Sequence, residues 1–293
     1  MTSHTTSPPS TVLRPAGDLR LLTWPALEAS GADAVVTARS GGVSSGPYES
    51  LNLSLSVGDD PGCVLENRRR LATAFGADLG DFVFARQVHG AGVRVVADAD
   101  RGAGAYPLDD ALGSAGEADR AGGVDALVTT SPGVVLAILT ADCVPIVLHD
   151  PVARVLACVH AGWRGTVAGV TAEALAAMQR LGARPSDLTA GIGPAIGADR
   201  YQVGPDVHEA VTGTFGPAAA GFIRPDPSAP GRWLLDLWAA NRHALLQAGV
   251  PGPRIHTTGI PTGPDPGHFF SDRTARPCGR LALVARLRPG GAR

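Results

Sequence analysis

Apolar residues are densest between Val124 and Leu181, where the runs VDALVTT, VVLAILT, VPIVLHD and VLACVH follow one another with short polar breaks. Each run is short and rich in β-branched residues, which predicts four strands in close succession. Pro151, Ala153 and Arg154 fall between the third and fourth runs, so those two strands are expected to form a hairpin. After His160 the chain enters AGWRG, and apolar residues then recur at Val167, Val170, Ala174, Met178 and Leu181. That spacing predicts one helix face, with Gly182 placed to end it. A second helix is expected from an N-cap at Asp236 through Trp238 and Leu245 to Gly249. Another opens on the polar Glu66-Asn67-Arg68 and turns Leu71 and Phe75 inward. The last strand is Leu281 to Leu287, with Leu281, Leu283, Ala285 and Leu287 on one face.

Between these elements, 38 glycines and 24 prolines punctuate the chain, which favours many short elements joined by tight turns. Strands and helices alternate without a steady βαβ rhythm. The pattern therefore predicts an α/β or α+β sandwich rather than a doubly wound sheet. Residues 1–16, MTSHTTSPPSTVLRPA, are read as a disordered tail, and 17–293 as a single catalytic domain. Within it the Gly-, Ala- and Asp-rich stretch from Asp98 to Gly123 is expected to be a mobile surface loop. It lies between a strand pair around His89 and the strand at Val124.

Composition removes several function classes. The formal net charge is −2, and all 25 basic residues are arginine. Biased genome composition explains that better than selection for phosphate backbones, so no nucleic-acid partner is expected. No stretch approaches the roughly 18 apolar residues of a membrane span, and the N-terminus lacks a signal peptide's basic start and apolar run. Cys63, Cys143, Cys158 and Cys278 are scattered without a CxxC pair. Reduced thiols in a cytoplasmic protein are the expectation.

Three residues stand out chemically: His89 in FARQVHGAGV, Cys143 in LTADCVPIV and His160 in LACVHAGWRG, each expected at the end of an apolar strand beside a turn. The distance from Cys143 to His160 suits a strand, a turn and a return strand, which brings both ends to one edge. A lone His or Cys in a strand is more often a packed core residue than a ligand, so spacing alone leaves the assignment open. Cys158 and His149 are read as buried and structural. As ligands, two imidazoles and one thiolate suit zinc and leave a fourth position open for catalysis. Asp142, adjoining Cys143, is a candidate for proton transfer or for orienting a ligand. A blue-copper centre normally adds an axial Met. The only methionines are Met1, in the tail, and Met178, on a helix stripe, so copper is disfavoured.

The motifs together resemble a known family, the bacterial proteins variously called multicopper polyphenol oxidase, peptidoglycan editing factor and laccase-domain purine nucleoside phosphorylase. The resemblance runs from about Val35 to Leu287, through RSGGVSSGPYESLNLSLSVGDDP, ENRRRLA, QVHG, LTADCVPIVLHDP, VHAGWRGT, GIGPAIGADRYQVGPDV, LDLWAANR and FFSDR with the later CGR. It implies β-sheets packed as a sandwich with flanking helices, and zinc ligands at His89, Cys143 and His160. It also implies phosphorolysis of adenosine, inosine and guanosine, cleavage of methylthioadenosine and deamination of adenosine. The alternatives are a hydrolase that edits peptidoglycan precursors, a copper polyphenol oxidase, and a zinc-stabilised module without chemistry.

Phosphorolysis needs nucleosides and phosphate as ligands, hence an anion site. Arg39, Arg68 and Arg273 are the candidates, because a guanidinium binds phosphate bidentately; Arg68 is the first choice, and Arg164 is read as a surface residue. The chain departs from the family at Pro261-Thr262, where many members have Cys-Thr, and from Thr274 to Cys278. Cys278 is not counted as a ligand.

Overall fold

The computed structural model describes residues 11–107, 123–264 and 267–290. Two six-stranded sheets form its centre. The first contains β1 (Val12–Ala16), β2 (Leu19–Thr23), β3 (Ala32–Thr37), β4 (Phe82–Phe84), β7 (Val135–Thr140) and β15 (Leu281–Leu287), in the order β1-β2-β3-β15-β7-β4. The second contains β5 (Val93–Val95), β6 (Ala126–Thr129), β8 (Val144–Asp150), β9 (Val155–Ala161), β10 (Thr189–Ile192) and β14 (Ile255–Thr257), in the order β14-β10-β8-β9-β6-β5. A small outer sheet pairs β11 (Gln202–Val203), β13 (Trp233–Leu235) and β12 (Ile223–Pro225). The architecture is a mixed α/β sandwich, as expected.

The apolar runs explain the layering. Leu22, Val36, Leu136, Ile138 and Leu283 of the first sheet meet Leu127, Val147, Leu156 and Cys158 of the second in a shared core. The second sheet's other face is closed by helices Val170–Arg180, Pro205–Phe215 and Leu237–Gln247. Helix Pro61–Phe75 covers the first sheet through Leu71, Ala72 and Phe75. Strands β8 and β9 are buried along their whole length, and so read as continuous apolar runs rather than as alternation. Leu281, Leu283, Ala285 and Leu287 face the core between the sheets, while Ala282 and Val284 face helix Pro61–Phe75.

The expected β8–β9 hairpin forms, with Pro145 opposite His160. Asp236 caps its helix by accepting a hydrogen bond from the Ala239 amide. Three expectations need correction. The helix after His160 is two, Trp163–Val167 and Val170–Arg180, because Gly169 takes φ +82°, a left-handed conformation that interrupts the helical path. Val12–Ala16, assigned to a tail, pairs antiparallel with β2 as an edge strand; residues 1–10 lie outside the described residues. The expected loop from Asp98 to Gly123 begins as ordered chain, with a 3-10 turn at Asp98–Asp100 and Ala105 fully buried. Its part from 108 to 122 lies outside the described residues.

Candidate metal centre

The chain twice crosses from the first sheet to the second, and each crossing carries a donor. The loop from β4 to β5 holds His89, and the turn from β7 to β8 holds Asp142 and Cys143. His160 arrives on β9, one residue from its end. The nitrogen and sulfur ligand atoms of His89, Cys143 and His160 all lie within 4.8 Å of one another. His89 itself is not at a strand end, contrary to expectation: it sits in the crossing loop with φ +59°, a conformation uncommon outside glycine.

Asp125 holds this loop in place. Its side chain is fully buried. Oδ1 accepts hydrogen bonds from His160 Nδ1 at 2.8 Å and from the His89 amide at 3.0 Å, and Oδ2 accepts one from the Gly90 amide at 2.7 Å. Burial pushes the Asp125 carboxyl up, but the hydrogen bonds from His160 and the Gly90 amide outweigh it and hold the group below its ordinary value. An ionised carboxylate only accepts, so His160 Nδ1 carries a proton, and Nε2 is the ring nitrogen left to a metal. Gln87 adds a clasp: its Oε1 accepts from the Leu139 amide at 2.7 Å, and its Nε2 donates to the Leu139 carbonyl at 2.6 Å.

Electrostatics favours the ligand form of the cysteine. Burial raises the Cys143 thiol, but His160 and then His89 outweigh it and lower the thiol well below its ordinary value. A metal requires that thiolate. Cys158, by contrast, has its thiol pushed up by burial, as expected of an inert core residue. Gly162 shows how tightly the donors are enclosed: a Cβ there would stand 2.7 Å from Cys143 Sγ and 3.3 Å from His89 Cδ2. The donor set, the oriented imidazole and this clearance fit a divalent or monovalent transition metal.

Around the three donors opens a cavity of about 980 Å³, within the range of small-molecule sites. Trp163 and Tyr201 line it, as do Ser54, Ser56 and Val57 from the loop before helix Pro61–Phe75. Asp142 also lines it, with φ +84°. Its carboxylate accepts from the Thr262 hydroxyl at 2.5 Å and the Arg273 amide at 2.7 Å, which ties the Cys143 turn to the C-terminal loops around Thr262 and Arg273. Cys278 stands outside the donor cluster, its sulfur 3.3 Å from Arg280.

The three arginines proposed as an anion site are not brought together. Arg273 lines the cavity, with its guanidinium donating to the Gln202 carbonyl at 2.8 Å and lying over Tyr201. Arg68 does not line it. Its guanidinium is buried over Phe84 and donates to the carbonyls of Leu53, Gly104 and Ala105, and burial lowers it to about 9. Arg39 likewise lies outside, donating to the Glu49 carbonyl and stacking on Phe270. Both were chosen for charge, yet Arg68 is buried against carbonyls and Arg39 lies outside the cavity. Sequence reasoning missed Asp125 and the cavity arginines Arg86, Arg276 and Arg280. The available signal for Asp125 was a carboxylate opening the apolar run VDALVTT.

Comparison with known proteins points to one family. The model of the family described as multi-copper polyphenol oxidoreductase laccase matches residues 33–288. Purine nucleoside phosphorylase YlmD of Geobacillus stearothermophilus is 41% identical over 260 residues, covering 88% of this chain and 91% of the relative. A purine nucleoside phosphorylase of Deinococcus radiodurans is 43% identical over 214 residues, covering 73% and 74%. The crystal structure of YlmD from Geobacillus stearothermophilus superposes with a TM-score of 0.83 at 37% identity, over 96% of this chain and all of that one.

Proposed function

Because this chain belongs to the multi-copper polyphenol oxidoreductase laccase family, we propose that it is a metal-dependent purine nucleoside phosphorylase whose metal is zinc, held by His89, Cys143 and His160. The observation that carries this reading is a single cavity combining those three donors, two aromatic walls and a rim of arginines. Its relatives at 41% and 43% identity bear the name purine nucleoside phosphorylase. Two imidazoles and a thiolate with an open position suit zinc. When bound, such a metal would supply Lewis acidity in the cavity.

Phosphorolysis joins a phosphate oxygen to C1′ of the ribose while the C1′–N9 bond breaks. The electron pair of that bond leaves with the purine, which takes up a proton. The protein's share is position and charge. Trp163 and Tyr201 offer apolar faces to the base, and guanidinium groups offer hydrogen bonds to phosphate oxygens. Holding phosphate against the ribose converts a bimolecular encounter into an oriented one. Asp125 and Gln87 keep the His89 loop fixed.

Adenosine, inosine, guanosine and methylthioadenosine are the proposed substrates, with adenosine deamination as a second activity. Among the described residues, no glutamate lines the cavity. For deamination, Asp142 beside Cys143 is the proposed proton-transfer group, held at the cavity by hydrogen bonds from the Thr262 hydroxyl and the Arg273 amide. The test is to incubate zinc-loaded protein with adenosine, with and without phosphate. Adenine and ribose 1-phosphate are expected only with phosphate, and inosine in both; failure to release any purine base with phosphate present overturns the phosphorylase reading.

A further inference from the structure

Among the described residues five arginines line the cavity, Arg86, Arg164, Arg273, Arg276 and Arg280, and three of them are already engaged. Arg276 and Arg280 both bind the Asp272 carboxylate, and Arg280 also donates to the Cys278 carbonyl. Arg273 donates to the Gln202 carbonyl. Arg86 and Arg164 differ: neither guanidinium has a hydrogen bond or ion pair with any described residue, and Arg164 only lies over the Trp163 ring, 4.5 Å from its centre. The carboxylates of the cavity do not compensate them, because Asp142 is held by Thr262 and the Arg273 amide, and Asp272 by its two arginines. Both cations are exposed.

Their backbones, in contrast, are fixed. Arg86 lies three residues before His89 on the crossing loop, where its carbonyl accepts the Val124 amide at 2.9 Å and its neighbour Gln87 clasps Leu139. Arg164 lies four residues after His160, in helix Trp163–Val167. The two cations thus leave the chain beside two of the three donor residues. A doubly charged tetrahedral oxyanion matches two uncommitted guanidinium groups, each offering a planar fork of donors.

We propose that Arg86 and Arg164 form the phosphate subsite of this cavity, in place of Arg39 and Arg68, and that they hold inorganic phosphate beside the metal centre. This rests on the phosphorylase reading for its role, but not for its binding chemistry. The ligand class is a phosphate oxyanion, which reaches the cavity either as the free ion or as the ester of a nucleoside 5′-monophosphate. The free ion is the proposed occupant, since phosphorolysis consumes it.

The experiment uses zinc-loaded protein and the variants Arg86→Gln, Arg164→Gln, the double variant, Arg164→Lys, and the remote surface control Arg20→Gln. Phosphate binding is read by calorimetric titration, phosphate KM and adenosine KM by initial rates, and zinc content and Tm alongside. Each glutamine substitution is expected to weaken phosphate binding and raise phosphate KM by about tenfold or more. Adenosine KM, zinc content and Tm stay near the parent values, Arg164→Lys recovers part of the loss, and Arg20→Gln changes nothing. A double variant with the parent's phosphate Kd and KM overturns the proposal, as does one that loses adenosine 5′-monophosphate binding while keeping phosphate binding. A parent protein that binds phosphate without releasing purine base sinks the phosphorylase reading alone, and the titration still decides the subsite.

Discussion

Replacing Asp125 with asparagine removes one charge and converts one acceptor oxygen into a donor while keeping the side chain's size. In the native site Oδ1 serves His160 Nδ1 at 2.8 Å and the His89 amide at 3.0 Å, while Oδ2 serves the Gly90 amide at 2.7 Å and the Val88 amide at 3.3 Å. An asparagine satisfies one oxygen's pair and turns its NH₂ against the donors of the other. If it keeps the two histidines, the Gly90 amide faces a donor inside a buried site, which costs about 1–3 kcal/mol. The surviving bond to His160 also loses its charge assistance, about 1 kcal/mol more. The metal-free variant is therefore expected to lose about 2–4 kcal/mol of unfolding free energy. Loss of the carboxylate behind His160 also reduces imidazole basicity and orientation, so zinc affinity should fall about 10- to 100-fold. Urea denaturation of the metal-free protein reads the first quantity, and competition with a chromophoric chelator reads the second. A variant that unfolds with the parent protein and binds zinc within about threefold of it would refute the assignment of Asp125 as the group that fixes both histidines.

Cys143→Ala should abolish stoichiometric zinc and with it activity, whereas Cys158→Ala, in the core between the sheets, should cost about 1–2 kcal/mol of stability and keep the metal. Equal loss of zinc in the two variants, measured by elemental analysis, would show that ligand and core residue are confused. A pH dependence follows from His149, buried beside Ser30 with its Nδ1 2.9 Å from the hydroxyl. Burial, and secondarily Arg154, lower this imidazole to about 4 against the opposing pull of Asp150. The unfolded chain, with an ordinary value of about 6.5, then binds the proton more readily than the folded one. The contribution is complete above about pH 6.5 and is lost as pH falls toward about 4, to a total of about 3 kcal/mol. His149→Asn should flatten the urea-unfolding profile between these limits, and matching pH slopes for parent and variant would contradict the reasoning.

The strands from Val124 onward, the helix capped by Asp236 and the strand Leu281–Leu287 were legible because burial on both faces leaves continuous apolar runs and because caps and turns are local chemistry. His89, Cys143 and His160 stood out for the same reason: they are donors at the margins of apolar segments, and the resemblance made them a set. What sequence periodicity does not carry is which sheet a strand joins. β4 and β5 around His89, and β7 and β8 around Cys143, belong to opposite sheets, and only that partition turns two unremarkable loops into crossings that meet at β9. Arginine roles were hidden in the same way. Charge is a property of the residue, but availability is a property of its surroundings: three carbonyls and a phenyl ring occupy Arg68, whereas Arg86 and Arg164 line the cavity with no hydrogen bond or ion pair to any described residue. Composition, patterning and donor types were thus set by the chain itself, while the buried Asp125, the cavity and the free cations follow from long-range packing that brings distant segments into contact.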